Sequence, residues 1–282
     1  MARFSDKVAI VTGSSNGIGR ATAILLASEG AKVTITGRNE ERLEETRQEL
    51  LKANVPAGHV NVFVGDVTLS EDQDKLIQTT LDAFGKIDIL VNNAGAGIPD
   101  AGGKTGVNQS LDTYHKTLEL NVQSVIAMTQ KIRPHLAKTQ GEIVNVSSIG
   151  AGPAAQVANP YYSIAKAALD QYTRTAAIDL VNENIRVNSV SPGAVVTGFS
   201  SVARGLSEEK SKAFYDYLGS QRACIPRGFC GQPEDIAKVI AFLADRNSSN
   251  YIIGQTIVAD GGTTLVLGAH AHVANIAQSV AK

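Results

Sequence analysis

The chain alternates short β-branched and apolar runs with longer stretches of helical period. Residues 8–12 form a β-branched run that stops at a glycine, the pattern of a buried strand. Residues 17–28 follow a helical pattern, and Gly30 is placed to end it. A second strand is predicted at 32–36, followed by a charged, exposed helix at 40–53. Residues 60–65 give a third strand, 70–84 a helix and 87–92 a fourth strand. A long helical region covers 111–137, and Pro134 is expected to disturb its last turn. Residues 142–147 predict strand five, 161–182 a helix, and 185–190 strand six. Helices at 207–219 and 233–244 precede a final strand at 256–259. Strands that are apolar on both faces and alternate with helices predict a parallel sheet covered on both sides. The expectation is an α/β protein with one doubly wound, Rossmann-type domain over 1–282 and a seven-stranded parallel sheet. Neither an internal repeat nor a long polar linker divides it.

Composition narrows the function classes. With 282 residues and 43% hydrophobic content, the chain can fill a sizeable core. A net charge of −1 and the lack of a Lys/Arg cluster give no support to a nucleic-acid or anionic-membrane partner. Cys224 and Cys230 lack a zinc spacing and read as reduced structural thiols. The five histidines (His59, His115, His135, His270 and His272) are not spaced with carboxylates as a zinc enzyme requires, so no metal is expected. The N-terminus has no charged-then-apolar signal pattern, and no apolar run reaches about 18 residues. A soluble, cytoplasmic protein is expected.

Candidate chemistry concentrates in residues 141–172. Tyr162 and Lys166 are four apart, so on a helix they share one face. An ammonium beside a phenol, whose ordinary pKa is about 10, favours phenolate and makes a proton donor useful near neutral pH. Ser147 or Ser148, at the end of the preceding strand, could hydrogen-bond a substrate oxygen. From these residues alone, a solvated lysine beside a core tyrosine has the same spacing. At the chain start, Thr12-Gly13-Ser14-Ser15-Asn16-Gly17-Ile18-Gly19 lies between a strand and a helix. Its Gly-x-x-x-Gly-x-Gly spacing departs from the common dinucleotide fingerprint, yet it allows a sharp turn and close approach of a pyrophosphate. At the end of strand two stands Thr36-Gly37-Arg38-Asn39 where an NAD site carries a carboxylate. Arg38 can pair with a 2′-phosphate, which favours NADP over NAD; capping of the following helix is its other reading.

Taken in order, these parts resemble the short-chain dehydrogenase/reductase family. The resemblance runs from about residue 7 to 262. It rests on TGSSNGIG at 12–19, Asp66-Val67, Asn92-Asn93-Ala94-Gly95, Asn121, Ser148, Tyr162-x-x-x-Lys166, Pro192-Gly193 and the late GQTIVADGG. It implies that Gly13, Gly17 and Gly19 shape the diphosphate turn, with Ser15 and Ile18 close to the cofactor. Asp66 would receive the adenine amino group, with Val67 beside the ring. Asn93, Ala94 and Gly95 would line the cofactor ribose. Asn121 would hold a relay water, a role that suits a residue poorly placed inside a helix. Ser148 would orient the substrate carbonyl and Tyr162 would give or take the proton. Lys166 would bind the nicotinamide ribose and depress the tyrosine pKa. Pro192, Gly193 and Thr197 would contact the nicotinamide. Ser148 fits the family's serine-to-tyrosine spacing better than Ser147, and Tyr161 is set aside because its i+4 residue is Ala165.

The implied reaction is reversible reduction of a carbonyl to an alcohol with NADPH. Residues 196–230 are expected to form a variable substrate lid, and the glycine-rich stretch 94–106 the opposite rim. The chain most resembles tropinone-reductase-like and glucose/ribitol-dehydrogenase-like members, which point to an alicyclic ketone or a polyol. An NAD-dependent polyol or hydroxysteroid dehydrogenase and a catalytically silent nucleotide-binding protein are the rival readings. The helix at 161–182 is apolar over more than one stripe, which favours a subunit interface in a dimer or homotetramer. Residues 265–282 extend past the usual family end.

Overall fold

The computed structural model describes residues 2–199 and 206–267. Its seven strands are β1 (Val8–Val11), β2 (Lys32–Gly37), β3 (Val60–Val64), β4 (Ile89–Asn92), β5 (Glu142–Val146), β6 (Arg186–Pro192) and β7 (Thr256–Ala259). They form one sheet in the order β3-β2-β1-β4-β5-β6-β7, with every pairing parallel. The doubly wound α/β expectation is therefore correct. The helices are α1 (Gly17–Ser28), α2 (Glu40–Lys52), α3 (Ser70–Phe84), α4 (Leu111–Leu118), α5 (Ser124–Thr139), α6 (Pro160–Leu180), α7 (Glu208–Ser220), α8 (Pro233–Ala244) and the short α9 (Arg246–Ser249).

Strand alternation divides the core into two layers. Val11, Val33, Val91, Val144 and Val190 face one side, where they pack with α1, α2 and α8. Ile10, Leu90, Ile143 and Val187 face the other, against α3, α5 and α6. The chain reverses its direction of travel across the sheet between β1 and β4, and in open α/β sheets ligands settle at the carboxyl ends of such strands. The opposite end is closed by charge: buried Glu142 lies 2.8 Å from Arg186 and 2.7 Å from Arg246. Arg186 also donates to the carbonyls of Leu243 and Ser249, fastening β6 to α8 and α9.

Two expectations about the long helical region need correction. First, the region is three pieces: α4 and α5 are joined by a π-turn over Glu119–Gln123 that contains Asn121. Second, Pro134 does not disturb the last turn, because α5 runs through it to Thr139. Gln130, whose carbonyl loses its i+4 donor, and Pro134 are both exposed, so water can take the freed carbonyl. Part of the expected lid, 200–205, and most of the C-terminal extension, 268–282 with His270 and His272, lie outside the described residues. Among the described residues no helix is long and apolar enough to cross a membrane.

Candidate active site

The glycine turn is built by contacts that leave no room for side chains. Gly13 and Gly17 have φ of +63° and +52°, where L-residues are strained. A Cβ at Gly13 would stand 2.9 Å from the Ala94 Cα, and one at Gly19 would strike the Gly13 carbonyl oxygen and Asn93 Nδ2. Asn93 Nδ2 donates to the carbonyls of Thr12 and Gly13 at 2.8 and 3.0 Å. Thr12 Oγ1 in turn accepts from the amides of Asn93 and Ala94 at 2.9 and 3.0 Å. Thr12 thus stitches β1 to the end of β4; its place directly before Gly13 is the signal that sequence reasoning passed over. Asn16, at the N-cap of α1, makes no side-chain cap, so the first-turn amides keep their donors for an anion. The Ser15 hydroxyl lies beside Gly37, and a Cβ at Gly17 would approach Thr197 Cγ2 at 3.0 Å. Ile18 packs partly into the core beside these turns. Pro192 ends β6, and Gly193 is pressed against Asp260, whose Cα would lie 2.7 Å from an added Cβ.

Arg38 and Asp66 meet where β2 and β3 end. Their charged groups are 3.5 Å apart, and the Arg38 side chain is 77% exposed. Asp66 Oδ1 accepts from the Thr68 amide and hydroxyl at 2.9 and 2.8 Å, leaving Oδ2 to face Arg38. The Val67 carbonyl accepts from Gln73, which holds the strand end in shape.

The catalytic candidates converge on Gly95. A Cβ there would lie 2.7 Å from Asn121 Oδ1 and 3.0 Å from Lys166 Nζ. Asn121 is buried; its Nδ2 donates to Ala96 and Thr117 carbonyls at 2.9 Å each, while its Oδ1 has no partner among the described residues. The π-turn breaks the α4–α5 hydrogen-bond ladder at this residue, as such turns often do near functional groups. Ser148 follows β5, and its hydroxyl bonds Tyr162 and accepts from the Gly150 amide. Ser147 is instead buried against the Lys166 carbonyl at 3.4 Å. Tyr161 points away from this cluster and donates to the Gln109 carbonyl at 3.0 Å. The Tyr162 ring lies 5.4 Å from Phe199, centroid to centroid.

The expected depression of the tyrosine pKa is not found. Burial pushes the Tyr162 phenol up to about 12, with the Ser148 hydrogen bond only partly opposing. Burial likewise pulls Lys166 down to about 8, while the charge of Asp170 works the other way. The reason is geometric: Lys166 Nζ sits 5.6 Å from the centre of the tyrosine ring and donates to the Val146 carbonyl at 2.9 Å. Helical spacing brings the pair to one face, but it does not set how much water either group loses. Asn92, which stands in a sequence motif without a role, donates to Asn145, which sequence reasoning missed and which donates to Thr173 on α6, tying β4, β5 and α6 together below the site. Among the described residues no group of three or more His, Cys, Asp or Glu stands close enough to hold a metal ion.

Comparison with known proteins places this site in context. Residues 13–264 match the family model described as enoyl-(acyl carrier protein) reductase. A crystal structure of a short-chain dehydrogenase/reductase of unknown function from Caenorhabditis elegans, with cofactor, is 63% identical. It covers 96% of this chain and 99% of its own, with a TM-score of 0.94. The glucose dehydrogenase of C. elegans in its apo form is 56% identical over 94% of this chain and 100% of its own, with a TM-score of 0.81. Dehydrogenase/reductase SDR family member 4 of C. elegans is 36% identical over 260 residues, 92% of this chain and 96% of that protein.

Proposed function

The chain belongs to the short-chain dehydrogenase/reductase family and is an oxidoreductase of that family, and from this premise we propose that it interconverts a carbonyl and a secondary alcohol with NADP(H). One observation carries the reading: at the carboxyl ends of β4 and β5, Asn121 and Lys166 meet at Gly95, Lys166 lies beside the Tyr162 ring, and Tyr162 bonds Ser148. The residues present fit a nicotinamide dinucleotide. The uncapped N-terminus of α1 beside Gly13 and Gly17 suits the diphosphate. Asp66 and Val67 suit the adenine, Asn93, Ala94 and Gly95 a ribose, and Pro192, Gly193 and Thr197 the nicotinamide side. When bound, the cofactor supplies or takes the hydride.

The protein's own part is proton transfer and orientation. Ser148 and Tyr162 hydrogen-bond the substrate oxygen where negative charge develops, and Tyr162 donates its proton to that oxygen in the reducing direction. Proton transfer then needs no free phenolate in the resting enzyme, which agrees with a phenol held near 12. Lys166 stands next to Tyr162 and Asn121, whose free Oδ1 can hold the relay water through which Tyr162 regains its proton. The preference for NADP is supported by Arg38, exposed at the end of β2 and flanked by Gly37 and Asn39; the carboxylate near it is that of Asp66, 3.5 Å away.

A second reading, a sugar or polyol dehydrogenase, is supported by the likeness to the glucose dehydrogenase of C. elegans. The apolar Phe199 ring beside Tyr162 supports an alicyclic or hydrocarbon ketone instead. We place the enzyme in the cytoplasm as a single catalytic domain and a homo-oligomer, dimer or tetramer, assembled through α6.

The test is Tyr162→Phe, read by NADPH absorbance over a panel of ketones, steroids, retinoids and polyols. Turnover is expected to fall by at least about a thousandfold, on the scale of losing an essential general acid, while NADPH binding holds. Unchanged turnover would sink the mechanism. Arg38→Ala is expected to weaken NADP⁺ binding by about tenfold to a hundredfold and leave NAD⁺ nearly unaffected. Equal affinity of the wild type for both cofactors would defeat the NADP assignment.

A further inference from the structure

The loop between β4 and α4 begins and ends on neighbours of the catalytic cluster. At its start, the Ala96 carbonyl accepts from Asn121 at 2.9 Å. At its end, the Gln109 carbonyl accepts the Tyr161 hydroxyl at 3.0 Å, one residue before Tyr162. Tyr161 is held further by an edge-on contact with Tyr114 of α4, centroids 5.3 Å apart. Midway, a Cβ at Gly106 would lie 3.3 Å from the Val157 carbonyl, so this loop touches the segment leading into α6. Two apolar side chains stand out at that contact: Val107 is 93% exposed and Val157 is 78% exposed.

One side chain closes the loop on itself. Asp100 is buried, and its Oδ1 accepts from the amides of Gly102 and Lys104 at 2.9 and 3.4 Å. Its Oδ2 accepts from the Ser110 amide at 2.7 Å and the Thr113 hydroxyl at 3.1 Å. An ionised carboxylate offers about four acceptor positions and no donor, which matches four converging donors. These hydrogen bonds, led by that of the Ser110 amide, hold the Asp100 carboxyl far below the usual carboxylate range. With its oxygens committed to N–H and O–H donors, Asp100 is a clamp and not a cation ligand. Asparagine cannot replace it, since its NH₂ would face N–H donors.

Accepting the carbonyl reductase reading on which this rests, we propose that Asp100 is a positioning residue that fixes the substrate-side rim, 96–110. By holding Gly106 beside Val157 and the Gln109 carbonyl on the Tyr161 hydroxyl, it keeps the rim in the shape that takes the apolar part of a bulky carbonyl substrate. The clamp acts on substrate fit, not on hydride or proton transfer.

The test compares the wild type with Asp100→Asn and Asp100→Ala on cyclohexanone and 4-tert-butylcyclohexanone, with NADPH. The KM for the bulky ketone should rise by at least about tenfold, the scale of a lost apolar pocket contact. The KM for cyclohexanone, kcat and NADPH affinity should stay within about threefold. A parallel loss of kcat or NADPH affinity, or unchanged KM for both ketones, would overturn the proposal. Hydrogen exchange of the intact protein gives a second reading that needs no turnover. The amides of 102–110 should exchange at least about tenfold faster in Asp100→Asn while those of 13–19 do not change; unaltered protection of 102–110 would likewise overturn it. Failure of the carbonyl reductase reading looks different: Tyr162→Phe would keep its activity, whatever the Asp100 variants do.

Discussion

Lys166 occupies a position that stability alone would not choose. Its pKa falls from 10.5 to about 8 on burial, so below pH 8 the folded protein carries a charge it would rather lose. A shift of that size corresponds to about 3 kcal/mol against the folded state at neutral pH. The sign follows from proton counting. Between about 8 and 10.5 the unfolded lysine holds its proton and the folded one does not, so stability rises with pH across that window. Tyr162 acts in the opposite sense: its phenol is raised from 10 to about 12, so its contribution is present below 10 and is lost as pH climbs toward 12. The charged and polar groups acting on this pair are Asp170 on Lys166 and the Ser148 hydroxyl on Tyr162. We therefore expect Lys166→Met to be inactive yet more stable than the wild type at pH 7, by up to about 3 kcal/mol in urea unfolding. That advantage should shrink as pH approaches 10, and a difference that stays flat with pH would refute the argument. The spacing of Tyr162 and Lys166 was legible in the sequence because a helix fixes which residues share a face. The direction of the tyrosine shift was not legible, since desolvation depends on strands and loops far away in the chain.

At the scale of elements, strands and helices were read nearly to their ends because each carries its own periodicity. β1 stops one residue before the predicted boundary, and α7 begins one residue after Ser207, which caps it by accepting from the Lys210 amide. The misses came where tertiary contacts override local preference. Pro134 reads as a stop, yet α5 continues, since the lost hydrogen bond lies on the exposed side and the buried side is held by Met128, Ile132 and Leu136. The π-turn at Glu119–Gln123 has no signature in a helical pattern, as one added residue in a turn leaves apolar spacing nearly intact. Asn121 was the sole hint, an amide in a helix interior where it has little to gain. Asp100 sits in a stretch rich in turn formers, Pro99-Asp100-Ala101-Gly102-Gly103, which marks a loop but not the four donors gathered on its carboxylate. Thr12 and Asn92 stood inside motifs legible in the sequence, but their task of joining two elements was not, nor was that of Asn145 and Thr173.

For the molecule as a whole, α6 presents two faces with different duties. Tyr162, Ala165, Lys166, Leu169, Thr173, Ala176 and Ala177 are buried against the sheet and its neighbouring helices. On the outer side, Ile164, Ala168, Gln171, Thr175 and Ile178 follow the i, i+4, i+7, i+11, i+14 spacing of one stripe, and none of them is charged. Ile164 is 48% exposed and Ile178 70%, which leaves large apolar side chains facing water along a helix of 21 residues. A stripe of this kind can pack antiparallel on a second copy of itself, since a two-fold contact matches the same patch on both subunits. Exposed Arg174 and Asp179 flank the stripe, and Asp179 lies 3.8 Å from Arg133 of α5. Replacing Ile178 by Asp would put an unpaired carboxylate into each half of that contact, at a cost of about 3–5 kcal/mol for a fully buried charge. Ile178→Asp should therefore shift the protein from a dimer or tetramer to the 29.6 kDa single chain in sedimentation at micromolar concentration. A wild type that already sediments as one chain, or a variant of unchanged mass, would remove α6 as the assembly surface.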